Sequence, residues 1–242
     1  MQAIIMAAGI GSRLNSGTKL PKCMLEISGK PIIQHQLEML DHAGVEKTVI
    51  VTGYGSNEVE SYLKSIHKKL GLGLSIVTVA NPFFRLTNVL CSYWFGMKKL
   101  TGDFIYLEGD TIFERDMFED IISSEKDCAL SIKYAEVDEE AMKVVISNGV
   151  LTDISKAVNM EAASGEFFGL AKFSDRARRK FNMYADSWIR SEVFSDYFAY
   201  VLSESIRNHD GFSCDFISVD NRYCCEIDFP EDYDFAAKNY KA

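Results

Sequence analysis

Short apolar runs alternate with amphipathic segments along the first half of the chain. The runs have the length and composition of buried parallel strands: Ala3–Met6, Thr48–Thr52, Ser75–Val79 and Phe104–Leu107. Between them apolar residues recur at helical spacing, as in residues 31–43, where the pattern stops at Gly44. Strand and helix in alternation predict an α/β fold with a mostly parallel sheet flanked by helices.

The pattern changes after residue 126. Asn148-Gly149 separates the apolar runs 142–146 and 150–154, which is typical of a tight hairpin. We therefore expect a small antiparallel region, either at the edge of the main sheet or as a subdomain of its own. A strand over 165–173, helices at about 174–190 and 193–208, strand runs over 214–219 and 223–228, and a terminal helix from Pro230 complete the prediction. Aromatic residues at helical spacing over 188–206 indicate either the core or a dimer interface.

Charge and hydrophobicity argue against a nucleic-acid-binding protein and against a membrane protein. The 242 residues carry a formal charge of −9, which argues against a nucleic-acid partner because such proteins need a basic surface. No apolar run approaches the roughly 20 residues that cross a bilayer, and the N-terminus lacks the pattern of a signal peptide. We expect a cytoplasmic protein without a membrane partner. The six cysteines show no spacing typical of a zinc site, and no function is assigned to them.

A small-residue turn follows the first strand and carries the clearest chemistry. Gly9 and Gly11 let backbone N–H groups approach an anion, while Arg13 and Lys22, which follows Pro21, supply positive charge. The spacing fits neither the dinucleotide fingerprint G-x-G-x-x-G nor the P-loop G-x-x-x-x-G-K-[ST]. Because ligands bind at the carboxyl ends of strands in open α/β sheets, the turn indicates a triphosphate site. Lys19 could assist there.

The motif A-A-G-x-G-x-R followed by P-K resembles the signature of nucleotidyltransferases that activate sugar phosphates and small phospho-alcohols. The resemblance covers most of the chain, through Asn81-Pro82-Phe83, Thr87-Asn88, Glu108-Gly109-Asp110 and Glu226-Ile227-Asp228. Size and later motifs look most like the cytidylyltransferases of phosphocholine, inositol phosphate or phosphonates. The resemblance implies one Rossmann-like domain over 1–242, with a nucleotide-binding part (1–125), an acceptor-binding part (126–228) and a terminal helix (229–242).

The resemblance also implies roles for individual residues. The nucleotide-binding residues would be Ala7, Ala8, Gly9, Gly11, Ser12, Arg13, Lys22 and Asn88. Arg13 and Lys22 would be catalytic, the first on the β- and γ-phosphates and the second at the α-phosphate. For Asn88, helix capping is an equally good explanation.

The resemblance further implies that two aspartates, in the G-D and E-I-D motifs, hold a magnesium ion. Asp110 follows a strand and a glycine, and Asp228 ends another strand run, so both carboxylates would meet at the same edge of the sheet. The alternative for Asp110 is a helix cap. Glu226 has the alternate pleat position and is expected to face away.

Four residues of the second half are candidates for the acceptor site. Lys143 and Lys156 could bind the acceptor's phosphate, although solvated strand lysines are the common alternative. Glu166, in a strand that resembles the family's G-E-x-x-G strand, could face a cationic headgroup, or could belong to an ordinary core strand. Asp196 could approach a substrate amine.

The resemblance implies magnesium-dependent transfer of a nucleotidyl group, with CMP from CTP favoured, to a phosphate or phosphonate oxygen with release of pyrophosphate. One alternative is a hexose-1-phosphate nucleotidyltransferase that uses UTP or dTTP. A catalytically silent nucleotide-sensing subunit is another, although Arg13, Lys22, Asp110 and Asp228 are all present. The acceptor and the oligomeric state, including a homodimer, stay open.

Overall fold

A computed structural model describes residues 1–14, 20–134, 137–207 and 214–241, so Lys19 lies outside the described residues. The strands are β1 (Gln2–Ala7), β2 (Glu26–Ile27), β3 (Lys30–Pro31), β4 (Lys47–Thr52), β5 (Ser75–Ala80), β6 (Phe104–Glu108), β7 (Thr111–Phe113), β8 (Cys128–Lys133), β9 (Lys143–Ser147), β10 (Val150–Ile154), β11 (Gly165–Phe173), β12 (Cys214–Ser218) and β13 (Cys224–Glu226). The helices are α1 (Ile32–His42), α2 (Ser56–Leu70), α3 (Val89–Met97), α4 (Arg115–Ser123), α5 (Asp175–Arg190), α6 (Phe198–Arg207) and α7 (Pro230–Asn239).

Strand β1 lies at the centre of the parallel part of the main sheet. It pairs with β4 on one side and with β6 on the other, and β5 continues the sheet beyond β4. Ala7 is in register with Thr52, and Met6 with Glu108, so the carboxyl ends of these strands lie at one edge. The loops that leave β1 and β6 therefore start next to each other. The predicted α/β fold with a parallel sheet flanked by helices is confirmed.

Strand β11 joins the parallel part to the second half of the chain. It pairs antiparallel with β6, β8 and β9, and the hairpin of β9 and β10 forms the edge of the main sheet. Asn148 and Gly149 have φ angles of 53° and 75°, as a two-residue hairpin turn requires. The hairpin prediction is confirmed, and the hairpin extends the main sheet.

The sheet is buried on both faces, which explains the continuous apolar run of β1. Ile4 packs in a cluster with residues of α3, α5 and α6, while Ile5 packs in a second cluster with residues of α1, α2 and α4. All of Ala3, Ile4 and Ile5 are fully buried. Burial on two sides removes the polar alternation that a half-exposed strand would show.

A small two-stranded sheet and the terminal helix complete the fold. β13 pairs antiparallel with β7, and the Ile227 amide donates to the Asp110 carbonyl oxygen at 3.0 Å. Helix α7 packs its Ala236 into a third cluster, which includes Leu25 and Ile32 from the start of the chain. The end of the chain is thereby held against the loop that leaves β6.

The helix predicted from residue 193 begins at Phe198 instead. The segment before it accepts hydrogen bonds from the start of α3, because the carbonyl oxygens of Phe194 and Asp196 receive the amides of Asn88 and Leu90 at 2.9 and 3.3 Å. This contact from a distant part of the chain competes with helix formation. In α6, Phe198, Val201 and Leu202 are buried in the core, and a homodimer stays a prediction. Within the described ranges, each helix is too short or too polar to traverse a lipid bilayer.

Candidate active site

A cavity of about 640 Å³ opens at the carboxyl edge of the parallel strands. Its walls come from both halves of the chain: the loop after β1, the loop after β6, strand β11, the segment before α6 and the start of α7. The charged side chains that line it are Arg13, Lys22, Glu108, Asp110, Lys133, Asp138, Glu140, Lys156, Glu166, Glu226, Asp228 and Asp232. Such a mixture of cations and carboxylates around an open cavity suits a charged substrate.

The loop after β1 is shaped by glycine. Gly11 has a φ of 66°, and a Cβ atom there would lie 2.7 Å from the Lys22 Cγ atom. Gly9 has open space around it and lines the cavity together with Ser12. Only glycine allows the loop to turn in this way while it lies against the lysine side chain. Ala7 and Ala8 are buried, and Ala8 lines an adjoining cavity of about 160 Å³.

Lys22 lies between the two predicted metal ligands. Its Nζ donates to Asp110 Oδ2 at 2.9 Å and also to Asp228 Oδ1. Burial disfavours the ammonium, but Asp110 and Asp228 more than offset this and raise the pKa of Lys22. The structure thus brings together three predicted residues that are far apart in sequence, and the lysine stays charged.

Asp110 belongs to a cluster of carboxylates. Glu108, Asp110 and Glu226 each place an oxygen within 4.8 Å of the others, a spacing that can hold a metal ion. Burial first, and then the charge of Asp110, raise the pKa values of Glu108 and Glu226. Gly109 allows this arrangement, because a Cβ atom there would lie 2.6 Å from the Met6 carbonyl oxygen.

The expectation that Glu226 faces away is wrong, since its side chain lines the cavity. Glu226 and Asp228 are two residues apart, and in an extended chain such residues point to the same side, so the expectation misread the pleat. Glu226 pairs with Thr111 in the small sheet of β13 and β7, beside the loop that carries Asp110. Glu108 belongs to the Glu108-Gly109-Asp110 motif, but no role was predicted for it. Its position at the carboxyl end of β6 could have indicated that it lies at the site.

Arg13 contacts two carboxylates. Its Nη1 donates to Asp228 Oδ2 at 3.3 Å and its Nη2 to Glu140 Oε2 at 2.9 Å. The same Glu140 oxygen accepts from Lys156 Nζ at 3.2 Å. Sequence analysis missed Glu140, because one acidic residue in an acidic loop gives no pattern.

Of the four acceptor candidates, Lys156 and Glu166 line the cavity. Burial, partly offset by Lys133, raises the pKa of Glu166. Lys156 Nζ lies 4.8 Å from the centre of the Tyr197 ring. Both side chains are thus available to a ligand in the cavity.

The other two acceptor candidates, Lys143 and Asp196, are not among the residues that line the cavity. Lys143 is only 2% exposed, and its Nζ donates to the carbonyl oxygens of Asp138 at 3.3 Å and Glu139 at 3.1 Å. It supports the loop from inside because β9 turns this side chain inward. Asp196 Oδ2 accepts from the Trp188 indole at 2.7 Å, so its carboxylate serves the packing of α5.

Asn88 both caps helix α3 and lines the cavity, the two alternatives that the sequence left open. Its Oδ1 accepts from the Val89 amide at 2.8 Å at the start of α3, and its Nδ2 donates to the Ser195 carbonyl oxygen at 3.2 Å. The residue also lines both cavities. Capping and a place in the wall are therefore compatible.

The family model of the MobA-like NTP transferase domain matches residues 3–168, more than half of the chain. The chain belongs to this family. It is therefore a nucleotidyltransferase, and the family predicted from the glycine loop is confirmed.

One curated relative matches this chain over nearly its whole length. The CTP:phosphoglutamine cytidylyltransferase of Campylobacter jejuni is 26% identical over 255 residues, which cover 96% of this chain and 97% of that protein. Other curated relatives are longer, and the chain matches 29% of the length of one and 20% of another.

Two solved structures show the same fold. The inositol-1-phosphate CTP transferase from T. maritima has a TM-score of 0.78 at 22% identity, with 98% of this chain and 95% of that chain covered. The CTP:phosphocholine cytidylyltransferase from Streptococcus pneumoniae has a TM-score of 0.75 at 21% identity, with 99% of both chains covered.

Proposed function

We propose that the protein transfers CMP from CTP to the phosphate or phosphonate oxygen of a small acceptor and releases pyrophosphate. The observation that carries the proposal is the contact of Lys22 with both Asp110 and Asp228 beside the glycine loop. A cation, a pair of carboxylates and a turn of exposed backbone amides are the groups that a metal-bound triphosphate requires. The names of the relatives support CTP as the donor.

The cavity suggests how the reaction is divided among residues. Arg13 and the backbone amides of Gly9 to Ser12 would bind the β- and γ-phosphates, and Lys22 would stabilise charge at the α-phosphate. An acceptor oxygen attacks the α-phosphorus, a new P–O bond forms, and the bond to the bridging oxygen breaks as pyrophosphate leaves. The acceptor oxygen is already ionised at neutral pH, so positioning and electrostatics do the catalytic work.

Nucleotidyltransferases of this family generally use a divalent metal ion. The donors in this cavity are carboxylate oxygens, the ligands that magnesium prefers. We propose that Asp110 and Asp228 hold magnesium, with Glu108 and Glu226 nearby. When bound, the ion would supply positive charge to the phosphate oxygens.

The acceptor would lie towards β11 and the hairpin. Lys156 offers a positive charge for its phosphate, and Glu166 offers a carboxylate for a cationic headgroup. Lys133, whose Nζ lies 5.6 Å from the centre of the Phe168 ring, is a second cation in this wall. An acceptor with both a phosphate and a cationic group matches these charges.

The test is pyrophosphate release in magnesium chloride with each nucleoside triphosphate in turn. The acceptor panel includes phosphocholine, phosphoethanolamine, 2-aminoethylphosphonate, phosphoglutamine, inositol 1-phosphate and glucose 1-phosphate. We expect release with CTP and one of the first five. Release only with UTP or dTTP and the hexose phosphate would replace the proposal with the hexose-1-phosphate alternative.

Two variants connect the activity to the cavity. Lys22→Met should lower the rate on the order of 10²-fold, because a charged contact to the transition state is lost. Lys64→Met removes the same charge from the exposed face of α2 and should leave the rate unchanged. Equal rates for the two variants would show that Lys22 is not catalytic.

A further inference from the structure

Glu140 occupies an unusual place in the cavity. One oxygen of its carboxylate, Oε2, lies 2.9 Å from Arg13 Nη2 and 3.2 Å from Lys156 Nζ. The two cations come from separate parts of the chain, the loop after β1 and the segment after β10. A single anion therefore bridges the two groups proposed for the nucleotide phosphates and for the acceptor phosphate.

The loop that carries Glu140 is held by its backbone. Asp138 Oδ1 accepts from the amides of Glu140 and Ala141 at 2.8 and 2.9 Å, and Lys143 holds two carbonyl oxygens of the same loop. The Glu140 side chain itself is 58% exposed. Its carboxylate can therefore rotate away from the cations while the loop backbone stays in place.

A phosphate would compete well for this position. Phosphate groups carry more charge and more acceptor oxygens than a carboxylate, and a guanidinium binds them with two parallel hydrogen bonds. The ion pairs of Glu140 are partly exposed, with Arg13 43% and Lys156 23% exposed, and solvent weakens pairs of this kind. A multiply charged anion can displace the carboxylate, whereas a monoanion gains little over it.

We propose that Arg13 and Lys156 form one two-cation site for substrate phosphates, and that Glu140 fills this site in the free protein as an internal competitor. The inference rests on the proposed function, because it takes phosphates as the substrates. Glu140 keeps the two cations paired and favours ligands with at least two negative charges. Each binding event then includes the departure of the Glu140 carboxylate from Arg13 and Lys156.

The test is the affinity for inorganic pyrophosphate, measured by isothermal titration calorimetry at fixed ionic strength with magnesium chloride. Glu140→Gln should bind pyrophosphate about three- to tenfold more tightly than the unchanged protein, since two weak ion pairs no longer compete. Glu139→Gln is the matched control: it removes the same charge from the neighbouring exposed position and should change the affinity less than twofold. Unchanged or weaker binding by Glu140→Gln would overturn the proposal.

A second comparison connects the effect to the bridged cations. In a Lys156→Met background the gain from Glu140→Gln should shrink, because one of the two competing contacts is already gone. An undiminished gain would show a general charge effect and would overturn the two-cation site. Thermal unfolding followed by circular dichroism confirms that each variant is folded.

The binding assay tests the role of Glu140 and the activity assay tests the proposed function, so the two hypotheses can be rejected independently. Tighter pyrophosphate binding by Glu140→Gln without turnover on the acceptor panel would support the phosphate site and count against nucleotidyl transfer to these acceptors. Turnover without a change in pyrophosphate affinity would support the proposed function and overturn the role of Glu140.

Discussion

Lys22, Lys143 and Lys156 are the same residue type in three different environments. Lys22 contacts two carboxylates at the cavity, Lys143 is buried beneath a loop, and Lys156 lies over an aromatic ring in the cavity wall. Lys143 and Lys156 gave the same signal in the sequence, although of these two only Lys156 lines the cavity. The fold determines how buried each lysine is and which groups it contacts, and these two properties distinguish a lysine that supports a loop from one that faces the cavity.

Lys143→Met should lower the free energy of unfolding by about 1–3 kcal/mol, because carbonyl oxygens of the loop lose their donor in a partly buried position. Lys156→Met should lower it by less than about 1 kcal/mol, since its ion pair is partly exposed. Pyrophosphate affinity should respond in the opposite order, with the larger loss in Lys156→Met. Urea denaturation and calorimetry measure the two quantities. Weaker binding by Lys143→Met without a loss of stability would restore Lys143 as a candidate ligand contact.

At the scale of elements, the loop after β1 depends on two properties of Gly11. The positive φ angle excludes most side chains, and the close approach of Lys22 excludes a Cβ atom. Gly149, in the hairpin turn, has a similar φ of 75° but nothing within 4 Å of its Cβ position. Substitutions at the two glycines can therefore distinguish the effect of backbone strain, which both share, from the effect of displacing Lys22, which only Gly11 would cause.

Gly11→Ala and Gly149→Ala should each lower the free energy of unfolding by about 1–2 kcal/mol, the cost of a left-handed backbone for alanine. Only Gly11→Ala should also slow pyrophosphate release, on the order of 10²-fold, because it displaces the lysine side chain. The assay is the one used to identify the acceptor, with denaturation for stability. Similar rates for the two variants would show that the loop tolerates displacement of Lys22.

For the whole molecule, the last residues hold the first helix in place. The ring of Tyr240 lies at right angles to His35 of α1, with 5.1 Å between the ring centres, and its carbonyl oxygen accepts from Ser28 Oγ at 2.9 Å. His35 Nε2 lies 2.8 Å from the Ile27 carbonyl oxygen. Burial, aided by the charge of Lys30 and opposed by the Ile27 carbonyl, lowers the pKa of His35 from 6.5.

Stability should therefore fall as the pH decreases from 6.5 towards the lower pKa of folded His35. In this window the unfolded chain binds a proton that the folded chain does not, so protonation favours unfolding. We expect His35→Gln to show a flatter loss of unfolding free energy between pH 7.5 and 5 than the unchanged protein. His42→Gln, at an exposed position of the same helix, should follow the unchanged protein. Parallel curves for His35→Gln and the unchanged protein would rule out His35 as the titrating group.

The fold class and the nucleotide side of the cavity could be predicted because their signals are local in sequence. Apolar runs bounded by glycine and proline mark strands and turns through short-range sterics, and the spacing of Gly9, Gly11 and Arg13 lies within one loop. The carboxyl ends of parallel strands share an edge, so the sequence is enough to place Asp110 at the same edge as that loop. That β6 pairs directly with β1 is a property of the folded sheet, because the strands do not lie in their chain order.

The layers of the fold and the hairpin could be predicted from patterns within short stretches, and the family from the resemblance of short motifs. Only the folded structure shows that Lys143 and Asp196 lie outside the lining of the cavity and that Glu140 bridges Arg13 and Lys156. Each of these depends on which distant segment packs against the residue. Burial, charge and hydrogen-bond partners arise only when those segments meet, and a single sequence carries no local signal of that meeting.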